Sequence, residues 1–341
     1  MRFPHVIILS IIVFCLLFVF FITLGIFKQN NTNKIFPKPE TMKITFPKFN
    51  NSFIDVSKFN YNGDCGKVFS HPPNSEKDYV IGSFDFRNKC VSRTMWDSLN
   101  LARSSMPNAH IVLLLFSLPN PKCTDDLPRL AKLNIEIQKV AKPPRENAVI
   151  ARYNCYYNFI EANYNKISRI IFIDPKDVAF FNDFFATFSE DDIGWLVECF
   201  GFKIPEQCYG PFSYRSHAEW LRSYFSKEVR DDFVKRKLPS LNGGFGYGGV
   251  EKMRKVLQIY TSKMDKTNKH WGYDQALLNV LYYNGSFDEV GMKSITCEQK
   301  LCYIGRYTMA VKDKVIYYNN TQCSPVAMHK FDVKSTQWRL V

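Results

Sequence analysis

A buried-strand pattern that ends in two carboxylates constrains this chain more than any other feature of its sequence. Residues 170–173 are all apolar, which is typical of a strand buried on both faces of a sheet. Asp174 and Asp177 follow at once, with Pro175 and Lys176 between them. Open α/β sheets bind their ligands outside the carboxyl ends of central strands, and two carboxylates on one turn can hold a divalent cation that holds a diphosphate. A helix N-cap is the alternative role, most easily for Asp177.

Segments with strand and helix patterns alternate on both sides of this strand. Strand patterns occupy residues 79–84, 111–116, 133–137, 169–173 and 193–197. Apolar residues recur with helical spacing in residues 92–105, 148–164, 251–264 and 274–283. This alternation predicts an α/β fold with a mostly parallel sheet flanked by helices.

Residues 6–27 predict a membrane anchor. They contain no charged residue and are long enough to span a bilayer as a helix. Their end is a poor cleavage site, which favours an uncleaved signal anchor over a cleaved signal peptide. The charge bias, with Arg2 before the span and several lysines after it, would by itself leave the following domain in the cytosol. Four N-x-S/T sequons argue instead for a lumenal domain, and they begin at Asn30, Asn50, Asn284 and Asn319.

The cysteines support the lumenal orientation. Nine of them follow the predicted span, a density that suits an oxidising compartment. The chain has no C-x-x-C pair, which disfavours a zinc cluster. Because nine is odd, at least one thiol is left over if the others pair, and Cys155 on an apolar helix face is the candidate. Cys297 and Cys302 could close a small loop.

Composition separates a stem from a folded domain and narrows the choice of partners. Residues 28–78 are rich in Asn, Lys, Pro and Phe without a sustained period, so they predict a stem before a domain at residues 79–341. The formal charge of +13 suits solubility beside acidic glycans or lipid head groups, or a site that attracts phosphate-bearing donors. Nucleic acid would fit the charge alone, but a lumenal anchor and the lack of a nucleic-acid motif argue against it.

A glycine-dense segment, residues 241–249, follows the last of the predicted strands in the chain. Asn242 opens it, and five glycines fall within residues 243–249. The spacing does not reproduce the G-x-G-x-x-G dinucleotide loop. Glycine permits a positive φ and a close approach of the backbone to a ligand. The segment is therefore either a tight turn without a ligand or the wall of a sugar pocket, with the Asn242 amide bonding to hydroxyls.

Three further groups of polar residues are candidates, and each has an ordinary structural alternative. Asp274 and Gln275 stand at a predicted helix start, where they either cap the helix or present a carboxylate and an amide to a sugar. His329 is either a common core or surface histidine or a ligand for Mn²⁺ beside carboxylates, and Lys330 beside it could reach a diphosphate. Arg152, on the helix before the 170–173 strand, either points toward a nucleotide or pairs with an acid.

The order of these motifs resembles that of the metal-dependent GT-A glycosyltransferases, especially the glycogenin-like and related retaining families. In those families an Arg helix precedes a strand that ends in Asp-x-Asp, and an Asn-x-Gly segment, an Asp-Gln pair and a late His follow. The resemblance covers residues 79–331. One departure is the Asp-x-x-Asp spacing of Asp174 and Asp177. Either both acids meet the metal or Asp174 contacts the ribose alone, and an inactive member of the family is a further reading.

The resemblance implies a transferase that moves a hexose from a nucleotide-diphosphate sugar, in the first place a UDP-sugar, to a glycan or glycoprotein. Mn²⁺ or Mg²⁺ would be the cofactor, with Asp174, Asp177 and His329 as its ligands. Asp274 and Gln275 would be catalytic, with Asp274 the first candidate for a base if the reaction inverts the anomeric centre. Retention, which the family likeness favours, needs no strong base. The residues expected to bind the donor are Arg152, Asp174, Asn242, Gly243, Gly244 and Lys330.

The resemblance also implies a single-pass type II membrane protein of the Golgi or the ER, with its catalytic domain in the lumen. Its expected parts are a tail (1–5), the anchor (6–27), the stem (28–78) and the GT-A-like domain (79–341). The alternative is a catalytically inactive lumenal sugar-binding or scaffold protein on the same fold. A membrane-tethered methyltransferase or oxidoreductase is disfavoured, because such enzymes need a glycine-rich loop after the first strand. In this chain Gly82 is the single glycine within residues 82–90.

Overall fold

The computed structural model describes residues 46–141, 147–198, 215–265, 267–268, 270–296, 300–303, 309–318, 321–331 and 339–340. The predicted membrane anchor, residues 6–27, lies outside this part of the chain. Among the helices that are described, none combines the length and the apolar character needed to cross a membrane.

The strands and helices that the sequence patterns predict all occur among the described residues, together with several that the sequence analysis does not predict. The strands are β1 (Asp78–Asp85), β2 (His110–Ser117), β3 (Ile135–Lys139), β4 (Arg169–Ile173), β5 (Val178–Phe180), β6 (Ile193–Val197), β7 (Leu241–Gly249), β8 (Lys293–Ile295), β9 (Leu301–Tyr303), β10 (Met309–Lys312), β11 (Val315–Tyr318), β12 (Ala327–His329) and β13 (Arg339–Leu340). The helices are α1 (Arg93–Ser105), α2 (Asp126–Lys132), α3 (Ala148–Asn163), α4 (Arg215–Tyr224), α5 (Lys227–Lys235), α6 (Val250–Lys263) and α7 (Tyr273–Tyr283).

A seven-stranded sheet with the order β3-β2-β1-β4-β7-β6-β8 forms the centre of the protein. β1, β2, β3 and β4 pair in parallel, and so do β6 and β8. β7 runs antiparallel to both of its neighbours, β4 and β6. The prediction of an α/β fold with a mostly parallel sheet is therefore confirmed.

The glycine-dense segment is a strand of this sheet, so the prediction of a tight turn or loop at residues 242–249 is wrong. Glycine is required there because other groups come close to the backbone. A Cβ at Gly246 would lie 2.7 Å from the Trp195 ring, and one at Gly249 would lie 1.7 Å from the Glu190 carbonyl oxygen. Glycines without side chains hide the alternating pattern by which a strand is usually found.

Helices cover both faces of the sheet, because alternate residues of each strand point to opposite sides. On one face, Ile81 of β1 packs in a core with residues of α3, α6 and α7, such as Ile160 and Leu257. On the other face, Val80 packs in a second core with Leu99 of α1. All of these side chains are buried.

Two small sheets extend the domain beyond the second core. One has the order β5-β12-β9 and the other β11-β10-β13. In the first, β12 pairs antiparallel with β5, and His329 lies opposite Val178. This pairing brings a late part of the chain next to the end of β4.

Much of the predicted stem belongs to the folded domain. Ile54, Val56 and Phe59 are buried in a third core that also contains Phe181 and Met328. These three residues thus pack on the domain, although the sequence predicts a stem up to residue 78. The apolar residues of this segment face the domain at irregular intervals, which is why they show no period in the sequence.

Two disulfides join distant parts of the described chain. Cys65 pairs with Cys323, and Cys90 pairs with Cys123. Cys155 remains a half-buried thiol, as we predicted. Cys297 lies outside the described residues, and so does its predicted bond with Cys302.

Candidate functional site

The two predicted aspartates lie on one turn at the carboxyl end of β4. The Asp174 N–H donates to the Gly244 carbonyl of β7 at 2.8 Å, which continues the β4–β7 pairing by one residue. The Asp177 N–H then donates to the Asp174 carbonyl at 3.3 Å and closes the turn into β5. Because a turn separates them, carboxylates three residues apart can face one space.

β12 brings His329 to this turn. His329 Nε2 lies 3.2 Å from Asp177 Oδ1, and the side chain of His329 is 1 % exposed. One candidate ligand atom from each of Asp174, Asp177 and His329 lies within 4.8 Å of the other two. The structure therefore places the three predicted metal ligands together, although they come from two distant parts of the sequence.

Two basic side chains dominate the electrostatics of Asp177. Burial alone would raise the pKa of this carboxyl, but His329 and Lys330 outweigh it and hold the pKa well below its usual value. Lys330 Nζ donates to Asp177 Oδ2 at 2.9 Å, from a residue whose φ is +58°. Burial lowers the pKa of Lys330, but the carboxylates of Asp177 and Asp174 raise it above its usual value. Both partners are therefore charged at neutral pH.

This donor set fits a divalent cation. Asp177 Oδ1 is buried and accepts no hydrogen bond within the described part of the chain. Two carboxylates and an imidazole are ligands that suit Mn²⁺, and the carboxylates suit Mg²⁺ as well.

The start of β7 forms the wall next to this group. A Cβ at Gly244 would lie 3.0 Å from His329 Cε1, so only glycine leaves His329 its present position. The predicted amide of Asn242 is partly used by the protein itself, since its Oδ1 accepts from the Gly244 N–H at 2.7 Å. Asn242 is 4 % exposed. The Asn242 side chain thus supports the shape of the wall.

Arg152 pairs with an acid, which answers the question that its sequence position left open. Its Nη2 donates to Asp274 Oδ2 at 2.8 Å and to the Gly243 carbonyl at 2.6 Å. The Tyr153 hydroxyl donates to the same carbonyl at 2.8 Å. Burial raises the pKa of Asp274, and Arg152 opposes that shift without cancelling it. Arg152 and Asp274 therefore fix the backbone at Gly243 from beneath.

Gln275 connects this wall to a buried carboxylate that the sequence analysis missed. Its Oε1 accepts from the Gly243 N–H at 3.3 Å, and its Nε2 donates to Glu198 Oε2. The same Glu198 oxygen lies 3.1 Å from His217 Nε2. Glu198 follows directly on the apolar strand β6, so the pattern that marked Asp174 could also have found it. His217 lies on α4, where the sequence carries no clear signal.

The ten predicted site residues form two groups, joined by Asn242, Gly243 and Gly244 of β7. Asp174, Asp177, His329 and Lys330 make up the acidic and basic group at the end of β4. Gly243 and Gly244 link it to the second group, which contains Arg152, Asp274 and Gln275. Glu198, which is hydrogen-bonded to Gln275 of the second group, helps to raise the pKa of Lys330 in the first group. The charges of the two groups therefore act on each other.

Comparisons with known proteins give a distant structural likeness only. No protein-family model matches this chain, and no curated protein matches it. Solved structures that match it include the glycosyltransferase GlyE of Streptococcus pneumoniae TIGR4, with 16 % sequence identity and a TM-score of 0.37. The likeness covers 65 % of this chain and 45 % of GlyE, so the chain spans less than half the length of that protein. We base the functional proposal on the site and not on this likeness.

Proposed function

We propose that this protein is a metal-dependent glycosyltransferase. It transfers a hexose from a nucleotide-diphosphate sugar, in the first place a UDP-sugar, to a glycan or glycoprotein. The observation that carries the proposal is the convergence of Asp174, Asp177 and His329 within 4.8 Å at the carboxyl end of β4. Lys330 adds a positive charge at the same edge.

Asp174, Asp177 and His329 would hold Mn²⁺ or Mg²⁺. When bound, the cation supplies Lewis acidity that neutralises the negative charge of the departing diphosphate. Lys330 holds Asp177 in place and contributes further positive charge for phosphate oxygens. Positive charge aimed at a developing anion is the largest contribution to catalysis in many sites of this kind.

The wall formed by Asn242, Gly243 and Gly244 would orient the donor sugar. Its backbone is fixed from below by Arg152, through the contact with the Gly243 carbonyl. Asp174 is fixed to the same wall by its backbone hydrogen bond to Gly244. A site held in place by buried partners costs little reorganisation when the substrate binds.

The position of Asp274 favours a reaction that needs no strong base. Asp274 is 5 % exposed, and its carboxylate accepts a hydrogen bond from Arg152 at 2.8 Å. In such a reaction the bond from the sugar C1 to the diphosphate breaks and a bond from C1 to the acceptor oxygen forms. The acceptor proton passes to the departing phosphate oxygen.

We also propose that the protein is a type II membrane protein of the Golgi or the ER, anchored by residues 6–27, with a lumenal catalytic domain. Two disulfides in the described chain support an oxidising compartment. The sequons at Asn50 and Asn284 both lie on exposed residues, as acceptors of a glycan must.

Release of nucleoside diphosphate tests the proposal. The full-length protein, made in a secretory host, is incubated with UDP- and GDP-sugars in Mn²⁺ or in chelator. We expect release from one donor in Mn²⁺ only. Asp177→Asn should abolish it, while Asp232→Asn, on the exposed helix α5, should leave it unchanged. Full activity of the Asp177→Asn protein would contradict the assignment of the metal site.

One observation favours the alternative, a non-catalytic sugar-binding protein. Lys330 already neutralises Asp177 by an ion pair of 2.9 Å. If that pair persists in the functional protein, nucleotide sugars should bind equally well in Mn²⁺ and in chelator, and no donor should be turned over. Calorimetric titration with and without the cation separates the two cases.

A further inference from the structure

Aromatic side chains cluster on the surface beside the proposed transfer site. Trp271 is 65 % exposed and stands shortly before Asp274 and Gln275 in the chain. Trp220 and Tyr224 of α4 are half-buried, and His270 is exposed. We call Trp220, Tyr224, His270 and Trp271 the aromatic patch. A single exposed aromatic residue is ordinary, but here four aromatic residues lie on two adjoining segments, α4 and residues 270–271.

The patch is held in a fixed shape by its backbone. Gly272 has φ +89°, and a Cβ there would lie 2.3 Å from the Trp220 ring, so only glycine allows the turn to sit on that ring. The Tyr224 hydroxyl donates to the Trp271 carbonyl at 3.0 Å. The rings of Tyr224 and His270 lie 19° from parallel, with centroids 6.2 Å apart. Rigid aromatic surfaces lose little conformational entropy when they bind a ligand.

A continuous chain of contacts joins the patch to the wall of the proposed site. The ring of Trp220 packs edge-on against His217 at a centroid distance of 4.7 Å. His217 lies 3.1 Å from Glu198, and Glu198 accepts from Gln275. Gln275 in turn accepts from the Gly243 backbone. These contacts connect the patch to the wall at Gly243 through His217, Glu198 and Gln275.

We propose that the aromatic patch is the acceptor subsite, and that it binds a neutral pyranose ring of a glycan by stacking. This inference rests on the proposed transferase function. One face of a hexopyranose carries mainly C–H groups, which pack on the π-face of an aromatic ring while the hydroxyls stay in water. The charged residues of α4 beside the patch, Glu219 and Arg222, pair with each other at 2.5 Å. Among the described side chains of α4, Glu219 and Arg222 thus neutralise each other, which favours a neutral sugar over an anionic one.

Saccharide binding and kinetics of variants test the subsite. Saturation-transfer NMR of the full-length protein is recorded with lactose, maltose and N-acetyllactosamine as neutral probes and methyl glucuronide as an anionic probe. We expect a neutral probe to bind, and Trp271→Ala to weaken that binding by about tenfold, the loss of one aromatic stacking contact. Trp271→Phe, which keeps a ring, should lose less. Phe53→Ala serves as the control, because Phe53 is exposed by 45 % outside the patch.

The kinetic readout separates this inference from the proposed function. In the transferase, Trp271→Ala should raise the KM for the acceptor by about tenfold and move the KM for the donor by less than about threefold. Equal acceptor KM values for the wild type and Trp271→Ala would overturn the subsite. So would the failure of every neutral probe to bind, or tighter binding of methyl glucuronide. Trp271-dependent saccharide binding without donor turnover would support a saccharide site at the patch and overturn both the transferase proposal and the acceptor role of that site.

Discussion

Replacing Asp274 by Asn should cost far more stability than the same change at the protein surface. Asp274 and Arg152 are both buried, with side chains exposed by 7 % and 9 %, and their charged atoms are 2.8 Å apart. Without the carboxylate, Arg152 keeps its charge, and the Gly243 carbonyl is its remaining strong acceptor among the described residues. Breaking a buried ion pair by removing one partner costs about 3–5 kcal/mol, because the other charge stays buried without compensation. We expect Asp274→Asn to lower the free energy of unfolding by that amount.

Asp232 provides a matched control. It pairs with Arg236 at 2.9 Å, but both side chains are about half exposed, at 51 % and 49 %. An exposed pair of this geometry contributes about 0–1 kcal/mol, because water screens the charges. The two Asp→Asn variants are compared by urea unfolding at one pH, followed by tryptophan fluorescence.

The result that would refute this reasoning is a loss for Asp274→Asn no larger than that for Asp232→Asn. A second variant tests the cause: Arg152→Met combined with Asp274→Leu removes both charges. If the uncompensated arginine is responsible, the double variant should recover part of the loss, since apolar replacements of buried ion pairs are often tolerated. Measured activity of Asp274 variants then needs correction for the folded fraction before Asp274 is assigned a chemical role.

Three more predictions concern stability. Burial lowers the pKa of Lys300 from 10.5 to about 8, and Asp192 opposes this shift. Between these two pKa values the unfolded chain binds a proton that the folded chain does not, so the free energy of unfolding of the wild type should rise by about 2 kcal/mol from pH 7.5 to pH 10. Lys300→Met should lack this rise when unfolding in urea is measured at both pH values. The Cys65–Cys323 disulfide closes a loop with a sequence separation of 258, and Cys90–Cys123 closes one with a separation of 33. Because a longer loop loses more entropy on closure, replacing the first pair by serines should lower the free energy of unfolding by about 2 kcal/mol more than replacing the second. Equal losses for the two serine variants would contradict this argument. A chain that begins at residue 79 should unfold at a lower temperature than the full chain, because it lacks Ile54, Val56 and Phe59 of the third core. Equal midpoints in calorimetry would show that the segment before residue 79 adds no stability.

The sequence predicted those parts of the site that follow from strand order. Asp174 could be placed because an apolar strand runs directly into it, and parallel strands end at one edge of a sheet. The sequence alone left His329 open between a common core or surface histidine and a metal ligand, because it reaches Asp177 through the β5–β12 pairing across more than a hundred residues. No local pattern reports such a pairing. Glu198 carried the same local signal as Asp174 but was not selected.

The two errors in the fold have one physical origin. In β7 and in residues 46–78, the structure is set by close contacts with distant residues and not by a local period. Gly246 is glycine because of Trp195, about fifty residues earlier in the chain. Ile54 is buried because of Met328, at the other end of the chain. A hydrophobic period appears in the sequence where one face of an element is buried and the other is in water. It is lost where a distant part of the chain also covers the second face.

The packing of residues 46–78 also bears on the proposed metal site, because these residues support the strand that carries His329. The Asn60 N–H donates to Ser324 Oγ at 3.0 Å, and the Ser324 N–H donates to the Asn60 carbonyl at 3.0 Å. The Tyr61 hydroxyl donates to the Pro325 carbonyl at 2.8 Å, and the Cys65–Cys323 disulfide lies at the same place. All of these bonds hold residues 323–325, which lie just before β12. His329 therefore lies on a strand that is paired with β5 on one side and β9 on the other, and the residues just before that strand are held by the segment at residues 46–78.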